Sequence, residues 1–214
     1  YYFDPVDHDR RYIAYTDIGF ARSVDAGDTW IYSARGCPWA NTFYQVAFDP
    51  ARIGLAGTRK GKMYAATSSR HDIPHWTHVS PNSRQHAGGV CVSEDGGISW
   101  KVLGQGQPAL PCTSIALDPK SPSGRLTLYA TFFEGGVYKS TDNGETWVKK
   151  SNGLGNPGNL HALSVVVHPK TGDLYCSVTA HRVDSTFPVP GGIWKSTDGG
   201  DTRTDLTGEL KLAW

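Results

Sequence analysis

The strongest constraint on this chain is an octapeptide, Ser-x-Asp-x-Gly-x-Thr/Ser-Trp, that recurs along it. It appears at Ser23–Trp30, Ser93–Trp100 and Ser140–Trp147, and again at Ser196–Arg203 with arginine in the indole's place. Its residue types are those of a tight β-hairpin. A short carboxylate accepts turn amides, a glycine takes positive φ, and a hydroxyl and an indole pin the hairpin down. Asp25, Asp95, Asp142 and Asp198 are therefore read as structural, their oxygens spent on backbone donors. Eight residues bury no core of their own, so four copies imply a larger repeated unit that stacks on its neighbours.

Aligning the copies exposes that unit. A first strand ends in a turn signal at Phe3-Asp4-Pro5, Phe48-Asp49-Pro50, Leu117-Asp118-Pro119 and Val167-His168-Pro169. A second is aromatic and β-branched or small, as in Arg11-Tyr12-Ile13-Ala14-Tyr15, Met63-Tyr64-Ala65-Ala66, Leu128-Tyr129-Ala130-Thr131 and Leu174-Tyr175-Cys176-Ser177. A third runs into the octapeptide and a fourth leaves it. Helical periodicity is absent. The expected fold is all-β, a β-propeller of about four four-stranded blades, with repeats at approximately 1–41, 42–112, 113–160 and 161–209 inside one domain, 1–214. Residues 210–214 read as the opening of a further blade. Because an open array exposes unpaired strand edges and apolar blade faces, the chain is expected to be part of a larger ring.

The octapeptide and its setting resemble the Asp-box, or BNR repeat, of sialidases, of the xyloglucan-cleaving glycoside hydrolases, of sortilin-type receptors and of photosystem assembly factors. The resemblance implies a propeller. It leaves function divided between hydrolases and non-catalytic binding modules, since one fold hosts both.

Charge narrows the partners. Twenty-one basic residues nearly cancel 20 acidic ones, and no basic run forms the footprint that nucleic acid or an anionic membrane needs. No stretch is apolar and long enough to span a bilayer. The expectations are a polysaccharide, glycan or protein partner, no cofactor, and a secreted or periplasmic location, with further blades or a second domain beside this one. Cys37, Cys91, Cys112 and Cys176 lack metal-ligand spacing and read as packed thiols, with a Cys37–Cys112 bridge allowed by equivalent loop positions.

The repeat spacing shows where the chain has been elaborated. Asp4 to Asp49 is 45 residues and Asp49 to Asp118 is 69. The surplus lies between the second and third strands of the second repeat, about 68–87, with a shorter insertion at 179–190 in the fourth. In an up-and-down blade these loops and the inter-blade connectors emerge on one face, opposite the octapeptide hairpins. That face collects Asp17, Arg70, His71, Asp72, Glu134, His181, Arg182 and Asp184, joined from the connectors by Trp39, Asn41, Asn159 and His161. Carboxylates beside aromatic and hydrogen-bonding groups suit a sugar site. His71, His75, His78 and His86 crowd one insertion, but a helix that would align them is opposed by Pro74, so no metal is assigned.

Tyr15-Thr16-Asp17-Ile18-Gly19 is similar to the segment that carries the catalytic base of the xyloglucanase family. The resemblance implies Asp17 as base of an inverting hydrolase. Asp72, Glu134 or Asp184 would be the partner carboxylate, roughly 6.5–9.5 Å away; Trp39, Arg70, His71, His161, His181 and Arg182 are expected to contact substrate. Sialidase activity is not expected: it needs an arginine cluster for the substrate carboxylate and a tyrosine activated by a glutamate, and the N-terminal Arg-Ile-Pro segment of sialidases is absent. The alternative is a non-catalytic module binding protein or glycan.

Overall fold

A computed structural model describes residues 1–49, 61–71, 73, 86–122, 124–155, 158–183 and 186–208, with Arg182 and Val183 given by backbone alone. Among these residues the architecture is entirely strand and turn, and no helix is long and apolar enough to cross a membrane. The strands form four antiparallel four-stranded sheets, or blades. Blade one is β1 (Tyr2–Phe3), β2 (Arg11–Tyr15), β3 (Gly19–Ser23) and β4 (Ile31–Tyr32). Blade two is β5 (Thr42–Phe48), β6 (Met63–Ser68), β7 (Gly88–Ser93) and β8 (Lys101–Val102). Blade three is β9 (Cys112–Leu117), β10 (Leu128–Phe132), β11 (Gly136–Ser140) and β12 (Val148–Lys149).

Blade four is β13 (Ala162–Val167), β14 (Leu174–Val178), β17 (Gly192–Ser196) and β18 (Thr204–Asp205). Its insertion, read above as a loop, pairs with itself as a separate hairpin of β15 (His181–Val183) and β16 (Thr186–Val189).

Each octapeptide closes the same hydrogen-bond circuit. The serine hydroxyl donates to the aspartate Oδ1 at 2.7–2.9 Å and accepts the glycine amide at 2.8–2.9 Å, and the aspartate takes the Thr or Ser amide four residues on at 2.9–3.0 Å. These bonds hold the Asp25 carboxyl at about 2, through Thr29 first and Ser23 next. A positive-φ glycine after the fourth strand then lets the following blade's hairpin approach. A Cβ on Gly36 would strike the Trp100 carbonyl, and one on Gly106 the Trp147 carbonyl.

The core lies between blades, where one face of each sheet meets the opposite face of the next. Tyr12 and Phe20 of blade one pack with Phe43, Met63 and Trp100 of blade two; Tyr64 and Val90 of blade two pack with Leu128 and Trp147 of blade three; Tyr129 and Val137 pack with Leu174 and Trp194 of blade four. A second-strand tyrosine thus ends each of the three joints, and an octapeptide tryptophan enters the first two. A polar thread runs through the first strands: Gln45 Oε1 accepts from the Ser114 hydroxyl at 2.7 Å and the Ile115 amide at 3.1 Å, and the Ser114 oxygen accepts the Val165 amide at 3.2 Å.

All four cysteines are buried free thiols. Cys37 does not meet Cys112. Its sulfur lies 3.7 Å from that of Cys91 on β7, because the connector carrying Cys37 folds onto the next blade's third strand. Burial pushes the Cys112 thiol up, out of the range in which it would ionise.

Candidate functional site

The elaborated face is built from hairpin tips. In blades one and three β2–β3 and β10–β11 are joined by three residues, with Tyr15 paired to Gly19 and Phe132 to Gly136. Asp17 and Glu134 take the same place in these two turns and share the left-handed conformation, φ 78° and 64°. Side chains rarely adopt that geometry, and it costs strain that a glycine would avoid. Both tips therefore present a carboxylate at a backbone position where a carboxylate is not the easiest choice.

Blade two's insertion reaches sideways from there. His71 Nδ1 lies 3.1 Å from Asp17 Oδ1, while the Asp17 side chain remains 63% exposed. Ile73 is buried against Phe133 of blade three, and its amide donates to the Tyr44 hydroxyl at 2.9 Å. One segment of blade two thus touches blade one at its carboxylate tip and blade three beside its own.

Blade three continues the row into blade four. Phe133 stacks on His161 with centroids 4.4 Å apart, and His161 lies 4.6 Å from the His181 ring. Glu134 Oε1 is 3.9 Å from His161 Nε2. His161 is only 4% exposed. Burial first, then the neighbouring His181, draws its pKa down to about 4, while the Ala180 backbone opposes the shift. His161 is a neutral ring at ordinary pH.

Asn159 is buried too. Its amide donates to the carbonyls of Thr179 (2.9 Å) and Pro190 (3.2 Å), and its oxygen accepts the His161 amide at 3.1 Å. Asn159 and His161 hold blade four's insertion in place from beneath. Trp39 is partly buried in the blade one–two joint, its ring lying over Gly89. Asn41 accepts from the Thr42 hydroxyl at 2.9 Å.

Two groupings therefore emerge, Asp17 with His71, and Glu134 near His161, whose ring in turn meets His181, with Ile73 and Phe133 between them. Asp72, His75, His78 and Asp184 lie outside the described residues, and Arg182 is described only as backbone of β15. Among the described residues no three His, Cys, Asp or Glu side chains gather as a metal site. Phe133 and Ile73 belong to loop segments on this face whose candidate residues are polar, and Tyr44 lies within β5; their apolar contacts link the two groupings. The doubled aromatic Phe132-Phe133 was the available signal, since alternation sends only one of them into the blade joint. A depression of about 430 Å³ lined by Phe3, Asp4, Pro5, His8 and Arg11 sits at the β1–β2 turn of blade one, among the turns at the octapeptide end.

Comparison with known proteins fits this architecture. The BNR/Asp-box repeat model matches residues 138–149, and no curated protein sequence matches the chain. Among solved structures, the GH74 xyloglucanase from Xanthomonas campestris superposes with a TM-score of 0.60 at 21% identity over 95% of this chain and 29% of that one. A GH74 enzyme of Niastella koreensis gives 0.58 at 19% identity over 96% and 29%. YCF48 bound to D1 peptide gives 0.52 at 15% identity over 96% and 52%. This chain is an array of Asp-box β-propeller blades, and it spans under a third of the GH74 enzymes and about half of YCF48.

Proposed function

We propose that this chain is part of a glycoside hydrolase-like propeller that acts on or binds an extracellular polysaccharide through the face carrying Asp17, His71 and Glu134. The carrying observation is the Asp17–His71 contact, 3.1 Å between adjacent blades, at an exposed carboxylate on a strained tip. A general base must keep its carboxylate ionised and in reach of water. Asp17 is open to water, and the imidazole of His71, 3.1 Å from one of its oxygens, fixes the carboxylate's orientation. In this reading Asp17 activates the attacking water of an inverting hydrolysis. A second carboxyl group, from Glu134 or from the remainder of the protein, protonates the leaving oxygen. The fold shared with GH74 enzymes adds architecture to this reading, not chemistry.

The test is hydrolysis and retention of β-glucan-type polysaccharides by the natural full-length protein and its variants. Asp17→Asn should abolish turnover and leave the melting temperature within about a degree or two, because the side chain is exposed. His71→Ala should lower turnover less. Retention of polysaccharide without turnover in the unmodified protein would make the face a glycan-binding surface. Neither turnover nor retention would overturn the proposal.

A further inference from the structure

Four thiols are buried in this chain, and two of them meet. Cys37 Sγ lies 3.7 Å from Cys91 Sγ, although 54 positions separate the residues in sequence. The Cys112 and Cys176 sulfurs rest instead against backbone carbonyls, those of Ser114 and Ser177. A buried thiol packs as a small apolar group and needs no second thiol beside it. The contact is therefore informative, and both of its sides are firmly held. Cys91 stands in mid-strand on β7, paired with Ala65 of β6 and Val102 of β8.

The connector that carries Cys37 is seated on both blades it joins. The Cys37 amide donates to the Ala34 carbonyl at 3.1 Å, and the Trp100 amide of blade two donates to the Arg35 carbonyl at 2.8 Å. A Cβ on Gly89 of β7 would strike the Trp39 ring, and one on Gly19 of β3 would strike the Ala40 carbonyl. To reach the bonded separation of about 2.0 Å the sulfurs must close by about 1.7 Å. That is a movement on the scale of a side-chain rotation.

We propose that Cys37 and Cys91 form a reversible disulfide site, closed by exchange with a small-molecule disulfide of the glutathione class, which ties the blade one–two connector to the third strand of blade two. The two sulfurs differ as such an exchange requires. Cys37 is 8% exposed and Cys91 fully covered. The hydrogen bond from Cys91 holds the Cys37 thiol below its usual range, while that bond and then burial push the Cys91 thiol up. Cys37 is thus the attacking thiolate and Cys91 the resolving thiol.

In the first step the Cys37 thiolate attacks one sulfur of the incoming disulfide. The reagent's S–S bond breaks, one half stays on Cys37, and the other leaves with the proton that Cys37 gave up. In the second step Cys91 loses its proton and attacks Cys37 Sγ, expelling the remaining half as a thiol. Two protein thiols are oxidised and one external disulfide is reduced to two thiols. The loop so closed contains β5, β6 and the insertion that carries His71, and its connector lies against Gly19, two residues from Asp17. An oxidising compartment favours the closed form and a reducing one the dithiol. The inference stands apart from any polysaccharide activity.

The test equilibrates the folded natural full-length protein in glutathione buffers from reducing to oxidising, blocks free thiols, and weighs the tryptic peptides. In the oxidising buffer, peptides 36–52 and 85–101 should appear as one species two hydrogens lighter than their sum, and a reducing buffer should separate them. Cys91→Ala should trap glutathione on Cys37, whereas Cys37→Ala should leave Cys91 unmodified. The linked species in the unmodified protein decides the matter even if Cys91→Ala does not fold. Hydrogen exchange gives a second readout: amides of residues 36–41 should exchange at least tenfold more slowly in the linked form. Both thiols staying free in the folded protein across all buffers would overturn the proposal. So would linkage that forms only in urea, Cys91 joined to Cys112, or equal exchange in the two forms.

Discussion

His161 carries the clearest residue-scale consequence. An unfolded histidine takes its proton near pH 6.5, whereas folded His161 resists it until about 4. Between those values the unfolded chain binds the extra proton, so stability is complete above about 6.5 and falls as pH drops toward 4. The loss should reach roughly 2–3 kcal/mol at most. Urea unfolding between pH 7.5 and 4.5 should show this slope, and His161→Gln should flatten it. The box aspartates act in a separate window. With Asp25 held at about 2, its stabilisation is intact above about 4 and declines only as pH falls toward 2. Arg203 offers a different test. Its Nη1 donates to the Gly200 carbonyl at 3.2 Å, the bond Trp30 makes to Gly27, but its buried Nη2 has no hydrogen-bond partner among the described residues. Arg203→Trp removes that orphaned donor and should raise stability by about 1 kcal/mol. A loss would mean that the guanidinium stabilises the fourth hairpin by some other contact.

At the scale of the element, the hairpins separate by what they enter. Trp100 and Trp147 are buried in joints and Trp30 is half-exposed. Trp147→Ala should therefore cost about 3–5 kcal/mol. Trp30→Ala should cost roughly 1 kcal/mol or less in this chain, a contrast that chemical denaturation of the two variants measures directly. These hairpins were readable in the sequence because each octapeptide contains its own donors and acceptors. The strand register was readable because Tyr12, Tyr64, Tyr129 and Tyr175 recur in step. The meeting of His71 with Asp17, or of Ile73 with Phe133, was not. Those contacts depend on the path of a long insertion across its neighbours, and no local pattern encodes a path. Cys37 shows the same boundary. Equivalent loop positions suggested Cys112, but Cys112 opens strand β9, and the connector carrying Cys37 packs on the next blade's third strand and so reaches Cys91.

For the whole molecule the question is what makes separate blades one cooperative body. Among the described residues the blades pack on their neighbours, so stability approximates a sum of blades and joints, and a weak joint would let the array unfold in pieces. The apolar joints are matched by the thread through Gln45, Ser114 and Val165, which ties blades two, three and four across their first strands. Ser114 is its centre, donating toward one neighbour and accepting from the other. Ser114→Ala leaves the buried Val165 amide without that acceptor and removes one of the two donors to the Gln45 oxygen. A buried group stripped of its partner costs about 1–3 kcal/mol. The cost should fall on coupling as well as on total stability. Hydrogen exchange in the variant should rise in β5 and β13 together, although neither strand has been altered, and the urea transition should broaden as blade four uncouples from blade two. Thr113→Val, one residue away, is the control. The Thr113 hydroxyl lies 2.9 Å from that of Thr131 and 3.1 Å from the Ala162 carbonyl, inside the single joint between blades three and four. Its loss should raise exchange in β10 and β13 and spare β5. Equal effects of the two substitutions on β5 would show that the thread does not couple the blades.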